Sequence, residues 1–466
     1  MNGSLINPFT ITHPTAVQTS LQAGASFAKF DPSGKYVVAA GKGDGSAAVW
    51  DLSTRAAVRW LEGHVKSVTS VDWSRNSRYV LTSSKDWNIS VWDLASDLDS
   101  PQRRDVIRFD APVQSASFHP RNCRILLVLL ATGEAYIVDQ RKKYRGRVEL
   151  LEVFDDSDDE AQMGRARSAM TVAQFEPSGK HAFIGTSSGS ILVFNARTKT
   201  MVARHKITGA GAMKGLDFTK NGRRFVTNSS DRTIRQFQMP TYPPPNAERE
   251  FIEQELDPTH RFNDPINKIA WHAVSYSPDG EWLSGGAADP AAHKIYIWDI
   301  SNDGQFASAL DGGREPLVHV HWHPRKSSIA STTNQGNILI WHCPTPERWG
   351  AFAGGFEEVD ENVVYEEKED EFDIVSGLTP FVSWVFALEC VGGTGEEDES
   401  ELAMRKKKQE DEEVDVMGGV MEEEDANVIS MDVDDEDVEW ADDEPDDDLK
   451  GWKMPIVMED EFEDGL

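Results

Sequence analysis

Three histidines near the end of the regular part of the chain have a spacing that could bind a metal. His319, His321 and His323 alternate, so on a β-strand their side chains face the same way. Three imidazoles on one face could bind zinc or copper. No carboxylate or cysteine lies nearby in sequence to complete a site, and the His-Pro pair at 323 repeats the one at 119. The pattern favours an ordinary first strand and turn over a metal site.

A second candidate for chemistry is the pair His64 and Asp86, which could act as a catalytic acid–base pair. No nucleophile accompanies it, and Gly63-His64, Asp86 and Trp92-Asp93 together form the full signature of one repeat unit. We therefore expect a buried histidine–aspartate–tryptophan network that stabilises this unit. The other units lack the full signature, so the network is not expected in them.

The remaining residue patterns argue against an active site. The glycine-rich run at 41–45 lies between two strands, whereas a phosphate-binding loop must open a helix. Cys123, Cys343 and Cys390 are too scattered for a disulfide framework or a zinc site, which favours a reducing intracellular compartment. The sequence predicts no catalytic residues, no metal and no cofactor, and hence a protein that is not an enzyme.

These residues lie in an internal repeat with a period of about 40–45 residues, the period of WD-repeat blades. Each unit ends a strand with an apolar residue, usually aromatic, followed by a polar one. The closing pairs are Trp50-Asp51, Trp92-Asp93, Val138-Asp139, Phe194-Asn195, Phe237-Gln238, Trp298-Asp299 and Trp341-His342. The two longest gaps contain insertions, at 155–160 and 240–264.

The inner turns repeat as well, as in Asp-Pro-Ser-Gly at 31–34 and Glu-Pro-Ser-Gly at 176–179. Proline presets φ early in such a turn and glycine accepts positive φ at its end. Alternating segments between the turns suit half-buried strands. The sequence predicts an all-β fold, a seven-bladed WD-repeat β-propeller over residues 1–348, with residues 9–17 supplying the outer strand of the last blade.

Charge divides the chain at Trp349. From there to the end lie 42 of the 79 acidic residues and 7 of the 47 basic ones, a net of −35, while the preceding 348 residues carry +3. A segment with so high a net negative charge repels itself, so we expect that it cannot fold alone. We predict a largely disordered acidic tail with linear motifs. An apolar island within it, at 374–391, is too short and broken to predict a membrane span.

Several loops of the body are basic, and two readings stay open for them: solvated surface charge, or contacts with nucleosomal DNA phosphates. The candidate nucleosome contacts are Arg141, Lys142, Lys143, Arg145, Arg147, Arg223 and Arg224. The acidic loop at 155–160 surrounds Ser157, a possible phosphorylation site, and the basic island at 405–408 is a candidate nuclear-import signal.

The segment 349–374 directly follows the last unit and carries apolar anchors along an acidic strand, typical of a motif that orders on a basic partner. It closely resembles the segment after the propeller in the retinoblastoma-binding-protein-five family. That family supplies the WD-repeat core subunit of COMPASS, the SET-domain histone H3 lysine 4 methyltransferase complex. The resemblance extends over nearly the whole propeller, including Trp73-Ser74 and the acidic loop at 155.

The resemblance implies a nuclear, non-catalytic scaffold that docks three subunits and the nucleosome, without a membrane role. The segment that would activate the SET-domain methyltransferase subunit contains Trp349, Phe352, Phe356, Val359, Asp360, Glu361 and Asn362. The segment that would dock the SPRY-domain subunit contains Tyr365, Glu366, Glu367, Glu369, Glu371, Phe372, Asp373 and Ile374. The motif for the WD-repeat adaptor subunit, at 411–416, contains Glu413, Val414, Asp415 and Val416.

One segment departs from the family pattern. The stretch that ends at Ile374 continues into more acidic residues in the family, but here it meets the apolar island, which extends over 375–394. Val375-Ser376 can be encoded by a common splice-donor sequence. We therefore hypothesise that the island is translated from a retained intron. The rest of the tail, within 375–466, remains acidic.

A rival class is a WD-repeat histone chaperone or substrate receptor whose acidic tail binds histones directly. Histone binding by the tail without affinity for a SET-domain complex would favour that class.

Overall fold

The structure is a computed structural model that describes residues 13–41, 43, 45–95, 102–153, 168–242, 252–264, 270–344 and 440–441. The strands within these residues are numbered in chain order. The first nine are β1 (Ala16–Gln22), β2 (Ala25–Phe30), β3 (Tyr36–Gly41), β4 (Ala47–Asp51), β5 (Ala56–Leu61), β6 (Val68–Trp73), β7 (Tyr79–Ser84), β8 (Asn88–Asp93) and β9 (Gln102–Arg108). The next ten are β10 (Val113–Phe118), β11 (Ile125–Leu130), β12 (Ala135–Asp139), β13 (Gly146–Glu149), β14 (Met170–Phe175), β15 (His181–Thr186), β16 (Ser190–Asn195), β17 (Met201–Lys206), β18 (Met213–Phe218) and β19 (Arg224–Ser229). The last ten are β20 (Ile234–Gln238), β21 (Ile252–Glu255), β22 (His260–Phe262), β23 (Trp271–Tyr276), β24 (Trp282–Ala287), β25 (Lys294–Asp299), β26 (Gln305–Asp311), β27 (Leu317–Trp322), β28 (Ser328–Thr333) and β29 (Asn337–His342).

The described strands form seven sheets, the blades of a propeller. Blades 1 to 3 are β2–β5, β6–β9 and β10–β13; blade 4 is β14–β17 with β21; blade 5 is β18–β20 with β22; blade 6 is β23–β26; blade 7 is β27–β29 with β1. All seven predicted closing pairs lie at the ends of third strands, from Asp51 in β4 to His342 in β29. The predicted seven-bladed fold is confirmed.

The second strands of the blades are among their most buried elements. All six residues of β11, Ile-Leu-Leu-Val-Leu-Leu, are buried, as are all six of β7. A strand covered by neighbouring blades on both faces has no solvent side, so its sequence is apolar or small throughout instead of alternating. The core therefore consists of one apolar layer between each pair of adjacent blades.

The ring closes through the N-terminal strand, which among the described residues overlaps the expected range at Ala16 and Val17. Residues 9–12 lie outside the described part, and the outer strand of blade 7 is β1, which pairs antiparallel with β29 from Ala16 to Gln22. Leu21 of β1 is 4% exposed and packs with Ile338 and Ile340 of β29. This apolar contact sets the register, so the sealing strand begins later than predicted.

The second insertion supplies two strands that the repeat pattern does not indicate. β21 runs parallel to β17 and adds a fifth strand to blade 4, with Ala203 opposite Ile252. β22 then pairs with β20 and completes blade 5. The chain thus adds β21 to the edge of blade 4 before β22 completes blade 5.

Adjacent blades are also joined at their inner turns by histidine side chains. His119 Nε2 lies 2.9 Å from the carbonyl oxygen of Gly179, and His323 Nε2 lies 3.0 Å from that of Gly34. Both glycines have positive φ, and a Cβ on either would lie within 2.5 Å of the histidine ring. Glycine is therefore needed both for the turn and for the contact between blades.

Candidate interaction surface

The network predicted around His64 is present and contains one residue that the sequence signature does not reveal. His64 Nδ1 lies 3.0 Å from Asp86 Oδ2, and His64 Nε2 lies 2.8 Å from Thr82 Oγ1. Trp92 Nε1 donates to the same Thr82 hydroxyl at 2.8 Å. Burial raises the pKa of Asp86, but hydrogen bonds from the backbone of Asn88 and Val65 and from His64 outweigh it, so the pKa is lowered. The Thr82 hydroxyl is buried and bonded to both His64 and Trp92, so the network holds a buried tryptophan in place.

A second version of this network occurs in blade 7, where none was expected. Trp341 Nε1 donates to Ser331 Oγ at 2.8 Å, and His293 Nε2 lies 2.8 Å from the same hydroxyl. His293 comes from the turn between β24 and β25 of blade 6 and fills the space above Gly312. The sequence signature fails here because the histidine comes from the neighbouring blade.

The three alternating histidines have structural roles. His321 Nδ1 accepts the backbone N–H of Phe30 at 3.3 Å, which joins blade 7 to blade 1. Burial, and next the charge of Lys29, lower the pKa of His319 to about 4 and that of His321 well below its usual value. His323 Nδ1 accepts the backbone N–H of Lys326 at 2.9 Å. The strand-and-turn interpretation is confirmed for this segment.

Similar inner-strand bonds link other pairs of blades. A side chain on the inner strand of one blade accepts a backbone N–H of the next: Asp72 from Phe118 at 2.7 Å, Asp217 from Tyr276 at 2.9 Å, and Ser275 from Trp322 at 3.1 Å. Burial raises the pKa of Asp217 to about 6. The polar residues of the inner strands thus link adjacent blades through hydrogen bonds.

Within the described ranges, no group of three or more histidine, cysteine, aspartate or glutamate residues could hold a metal ion. Cys123 and Cys343 are not in disulfides, and no described helix is long and apolar enough to cross a membrane. Cys390 and the apolar island lie outside the described residues.

Because strands alternate in direction, the turns between first and second strands and those between third and fourth strands emerge on the same face of the propeller. We call it the hairpin face. It carries the turn at 119–124 and the loop at 140–145 in blade 3, and the turn at 219–223 in blade 5. The candidate nucleosome contacts lie in these loops or in the first two residues of the strands that follow them.

Most of these basic side chains are accessible. Lys142, Lys143, Arg145 and Arg223 are exposed, and Arg224 is partly buried at the start of β19. Arg147 is 39% exposed and pairs with Asp110 at 3.2 Å. A cleft between blades 2 and 3 joins part of this set to two further arginines, and is lined by Arg104, Asp105, Arg124, Gln140, Lys142 and Arg145. The rim of blade 3 is therefore a concentrated positive surface.

Arg141 is the exception, and its prediction as a surface contact is corrected. Its side chain is fully buried and pairs with Asp139, which is equally buried, at 2.8 Å. Arg141 Nε donates to Asp139 Oδ1 at 3.1 Å, and Arg141 Nη1 donates to the carbonyl oxygen of Trp440. With its guanidinium used in this way, Arg141 cannot reach a phosphate on a partner.

The contact with Trp440 was not predicted from the sequence. Trp440 and Ala441 are 8% and 1% exposed and belong to the apolar cluster between blades 3 and 4. The available signal was a single tryptophan between acidic residues, at Glu439-Trp440-Ala441-Asp442. The three partner segments predicted in the tail, at 349–362, 365–374 and 411–416, lie outside the described residues, as do Ser157 and the basic island at 405–408.

Comparisons with known proteins agree with this architecture. The WD domain, G-beta repeat family matches residues 9–51 and 56–93. The Set1 complex component swd1 of Schizosaccharomyces pombe is 36% identical over 80% of this chain and 90% of that protein. The COMPASS component SWD1 of Saccharomyces cerevisiae is 30% identical over 88% of this chain and 94% of that protein.

The chain belongs to the Swd1 family of COMPASS components. A retinoblastoma-binding protein 5 homolog of Drosophila melanogaster is 34% identical over 80% of this chain and 72% of that protein. The crystal structure of the Cps50 (Swd1) β-propeller domain of Myceliophteria thermophila aligns with a TM-score of 0.62 and 28% identity, covering 71% of this chain and all of that domain. The family resemblance stated from the tail motif is confirmed by relatives that match the propeller as well.

Proposed function

We propose that this chain is the non-catalytic scaffold subunit of a COMPASS-type histone H3 lysine 4 methyltransferase complex in the nucleus. The observation that carries the proposal is the 36% identity over 90% of the length of a Set1 complex component. The structure contributes a ring closed by β1, inter-blade histidine contacts and inner-strand hydrogen bonds, which together make a rigid platform. A subunit of this kind acts by holding other proteins in a productive arrangement.

The tail would carry the docking segments, each with its own partner. Residues 349–362 would bind the SET-domain subunit in its active conformation, since a partner shifts a conformational equilibrium only by binding one state better. Residues 365–374 would place Phe372 and Ile374 in apolar pockets of the SPRY-domain subunit, with the acidic residues against a basic surface. Val414 and Val416 would anchor the WD-repeat adaptor subunit.

Paired substitutions in the tail test this division of labour. Phe372→Ala with Ile374→Ala should abolish capture of the SPRY-domain subunit by the full chain. Phe352→Ala with Phe356→Ala is the matched control, because it removes the same kind of anchor from the neighbouring segment and should leave that capture intact. Loss in both variants, or in neither, would contradict the assignment of separate segments.

The hairpin face would provide the nucleosome contact. Lys142, Lys143 and Arg145 are exposed and adjacent, as phosphate contacts must be. Replacing all three with glutamine should weaken nucleosome binding and flatten its salt dependence by up to about 0.9 in slope per lost phosphate contact.

Lys66 and Lys85 serve as the control for that experiment, because both are exposed in loops on the opposite face. Lys66→Gln with Lys85→Gln should leave the salt slope unchanged. Equal effects of the two sets would show that net charge, rather than the hairpin face, governs the binding.

The net charge of −35 beyond residue 348 favours a second candidate, a histone chaperone. That function predicts binding of free histones by the full chain that tail truncation abolishes, with no change in methylation by a SET-domain complex.

A further inference from the structure

The segment around Trp440 returns to the propeller and occupies a site on blade 3. The Trp440 and Ala441 side chains join a cluster formed by residues of β11 and β12 of blade 3 and β14 and β15 of blade 4. The rings of Tyr144 and Trp440 lie 6.2 Å apart at 61°, an edge-to-face arrangement. An apolar residue from nearly 300 positions downstream thus completes the layer between two blades.

Two side chains of blade 3 bind consecutive carbonyl groups of the segment. Asn122 Nδ2 donates to the Ala441 carbonyl oxygen at 2.7 Å, and Arg141 Nη1 donates to the Trp440 carbonyl oxygen. The Arg141 guanidinium also lies 4.3 Å from the Trp440 ring centroid and 4.6 Å from that of Tyr144. Blade 3 thus contacts both the backbone and the aromatic ring of the segment. Recognition of this kind is more specific than apolar packing alone.

The site is prepared for this ligand by bonds within blade 3. Asp139 accepts from Arg141 Nη2 and Nε, which fixes the guanidinium plane and leaves Nη1 for the segment. Asn122 Oδ1 accepts the backbone N–H of Arg124 at 2.9 Å, which leaves Nδ2 to donate. Both donors are held in place by their own turns.

The rim of blade 3 and the segment around Trp440 carry opposite charges. Lys142, Lys143 and Arg145 are exposed beside the site. The sequence from 433 to 446 contains nine acidic residues and no basic one. Attraction between the two would speed docking and favour this segment over a neutral one.

We propose that the site formed by Asn122, Arg141 and Tyr144 is a dedicated receptor for this chain's own Trp440 segment. Docking in cis closes a loop over 345–439, and it does not depend on the proposed function. Covalent attachment gives the segment an effective concentration that can reach the order of mM, so modest intrinsic affinity is enough to keep the site occupied. The predicted partner motifs at 349–374 and 411–416 lie inside this loop in sequence.

Peptide competition on the full chain tests the receptor. The probe is a fluorescein-labelled peptide of residues 433–446, titrated with the unsubstituted chain and with Trp440→Ala. The Trp440→Ala chain should bind the peptide at least 10-fold more tightly, because its site is empty. The same peptide carrying Trp440→Ala should show no saturable binding.

A second substitution separates the receptor from general charge attraction. Asn122→Asp, made in the Trp440→Ala chain, keeps the oxygen that accepts from Arg124 but removes the donor to Ala441, and should weaken peptide binding at least 10-fold. Asn221→Asp is the matched control, because Asn221 Oδ1 accepts the N–H of Arg223 at 3.0 Å in the equivalent turn of blade 5.

Three results would overturn the proposal. One is equal peptide affinity of the unsubstituted and Trp440→Ala chains. Another is no binding to the Trp440→Ala chain at 1 mM peptide. The third is an equal effect of Asn122→Asp and Asn221→Asp, which would reduce the interaction to electrostatics.

Discussion

Blade 2 and blade 3 both end their third strand with an aspartate, but they satisfy that aspartate in different ways. Asp93 of blade 2 pairs with Arg78 at 2.9 Å, and the two side chains remain 23% and 19% exposed. Asp139 of blade 3 pairs with Arg141, and both are fully buried. The first pair is partly open to solvent, whereas residues 440 and 441 of the tail cover the second.

The difference lies in which residues complete the packing of each blade. In blade 2, Trp92 is held by Thr82, and Thr82 by His64, so the signature residues satisfy one another. Blade 3 has Val138 in place of Trp92 and no such network, and Trp440 adds an aromatic residue to its cluster from outside the repeat. A buried ion pair is costly unless its donors are used, and here the tail carbonyl accepts from Arg141 Nη1.

The largest expected effect on stability comes from the tryptophan of blade 2. Trp92→Ala removes a side chain that is 1% exposed, together with the hydrogen bond that it donates to the hydroxyl of Thr82. We expect a loss of about 3–5 kcal/mol in the free energy of unfolding. Trp440→Ala should cost only about 1–2 kcal/mol, because a tethered segment stabilises by mass action.

Denaturant unfolding of the full chain measures both variants. Equal losses would mean that the tail residue is as integral to the propeller as the signature residue, and the comparison between the two blades would fail.

A double-mutant cycle sharpens the comparison further. Arg141→Met and Trp440→Ala should be coupled by about 0.5–3 kcal/mol, because the two side chains are in direct contact. The partly exposed pair of blade 2 provides the control: Arg78→Met should cost about 1 kcal/mol or less and be additive with Trp440→Ala. Additivity of the Arg141 variant would show that the tail contact has no energetic consequence.

The last comparison concerns pH and the second network, in blade 7. Burial lowers the pKa of His293 to about 4, and this is only partly offset by a hydrogen bond to the backbone carbonyl of Glu315 and by nearby acidic side chains. A histidine with a lowered pKa stabilises the folded state above its unfolded pKa of about 6.5, and that stability is lost as pH falls towards 4. Asp217 acts in the opposite sense, because its pKa is raised.

His293→Gln keeps a group that can form a hydrogen bond with Ser331 and removes this titration. We expect the fall in unfolding free energy between pH 6.5 and 4 to be smaller in the variant, by about 1–3 kcal/mol. Parallel pH curves for the two chains would show that His293 does not titrate with folding.

The repeat pattern predicts most of the propeller because each blade is a local unit. Closing pairs such as Trp50-Asp51 lie within one hairpin of the strands they mark, so spacing alone locates them. β21 escapes prediction because Ile-Glu-Gln-Glu has no strand alternation and owes its conformation to pairing with β17. A strand that depends on pairing with a distant segment has no recognisable pattern in its own sequence.

The burial of residues at the candidate surface also depends on contacts that are distant in sequence. Arg141 lies in a run of basic residues that looks solvated, but it is buried and contacts Trp440, 299 residues away. His293 takes the place of a signature histidine from a different blade. In both positions the residue type was visible in the sequence, but the partner that determines its role was not.

The proposed scaffold function requires that the tail, carried by a rigid propeller, binds and activates a methyltransferase. The most direct measurement is the rate of histone H3 lysine 4 methylation by a reconstituted SET-domain complex, with the full chain or with a chain ending at residue 348. We predict that the full chain stimulates the rate and that the truncated chain does not, although it remains folded by circular dichroism. Stimulation by the truncated chain equal to that by the full chain would contradict the account.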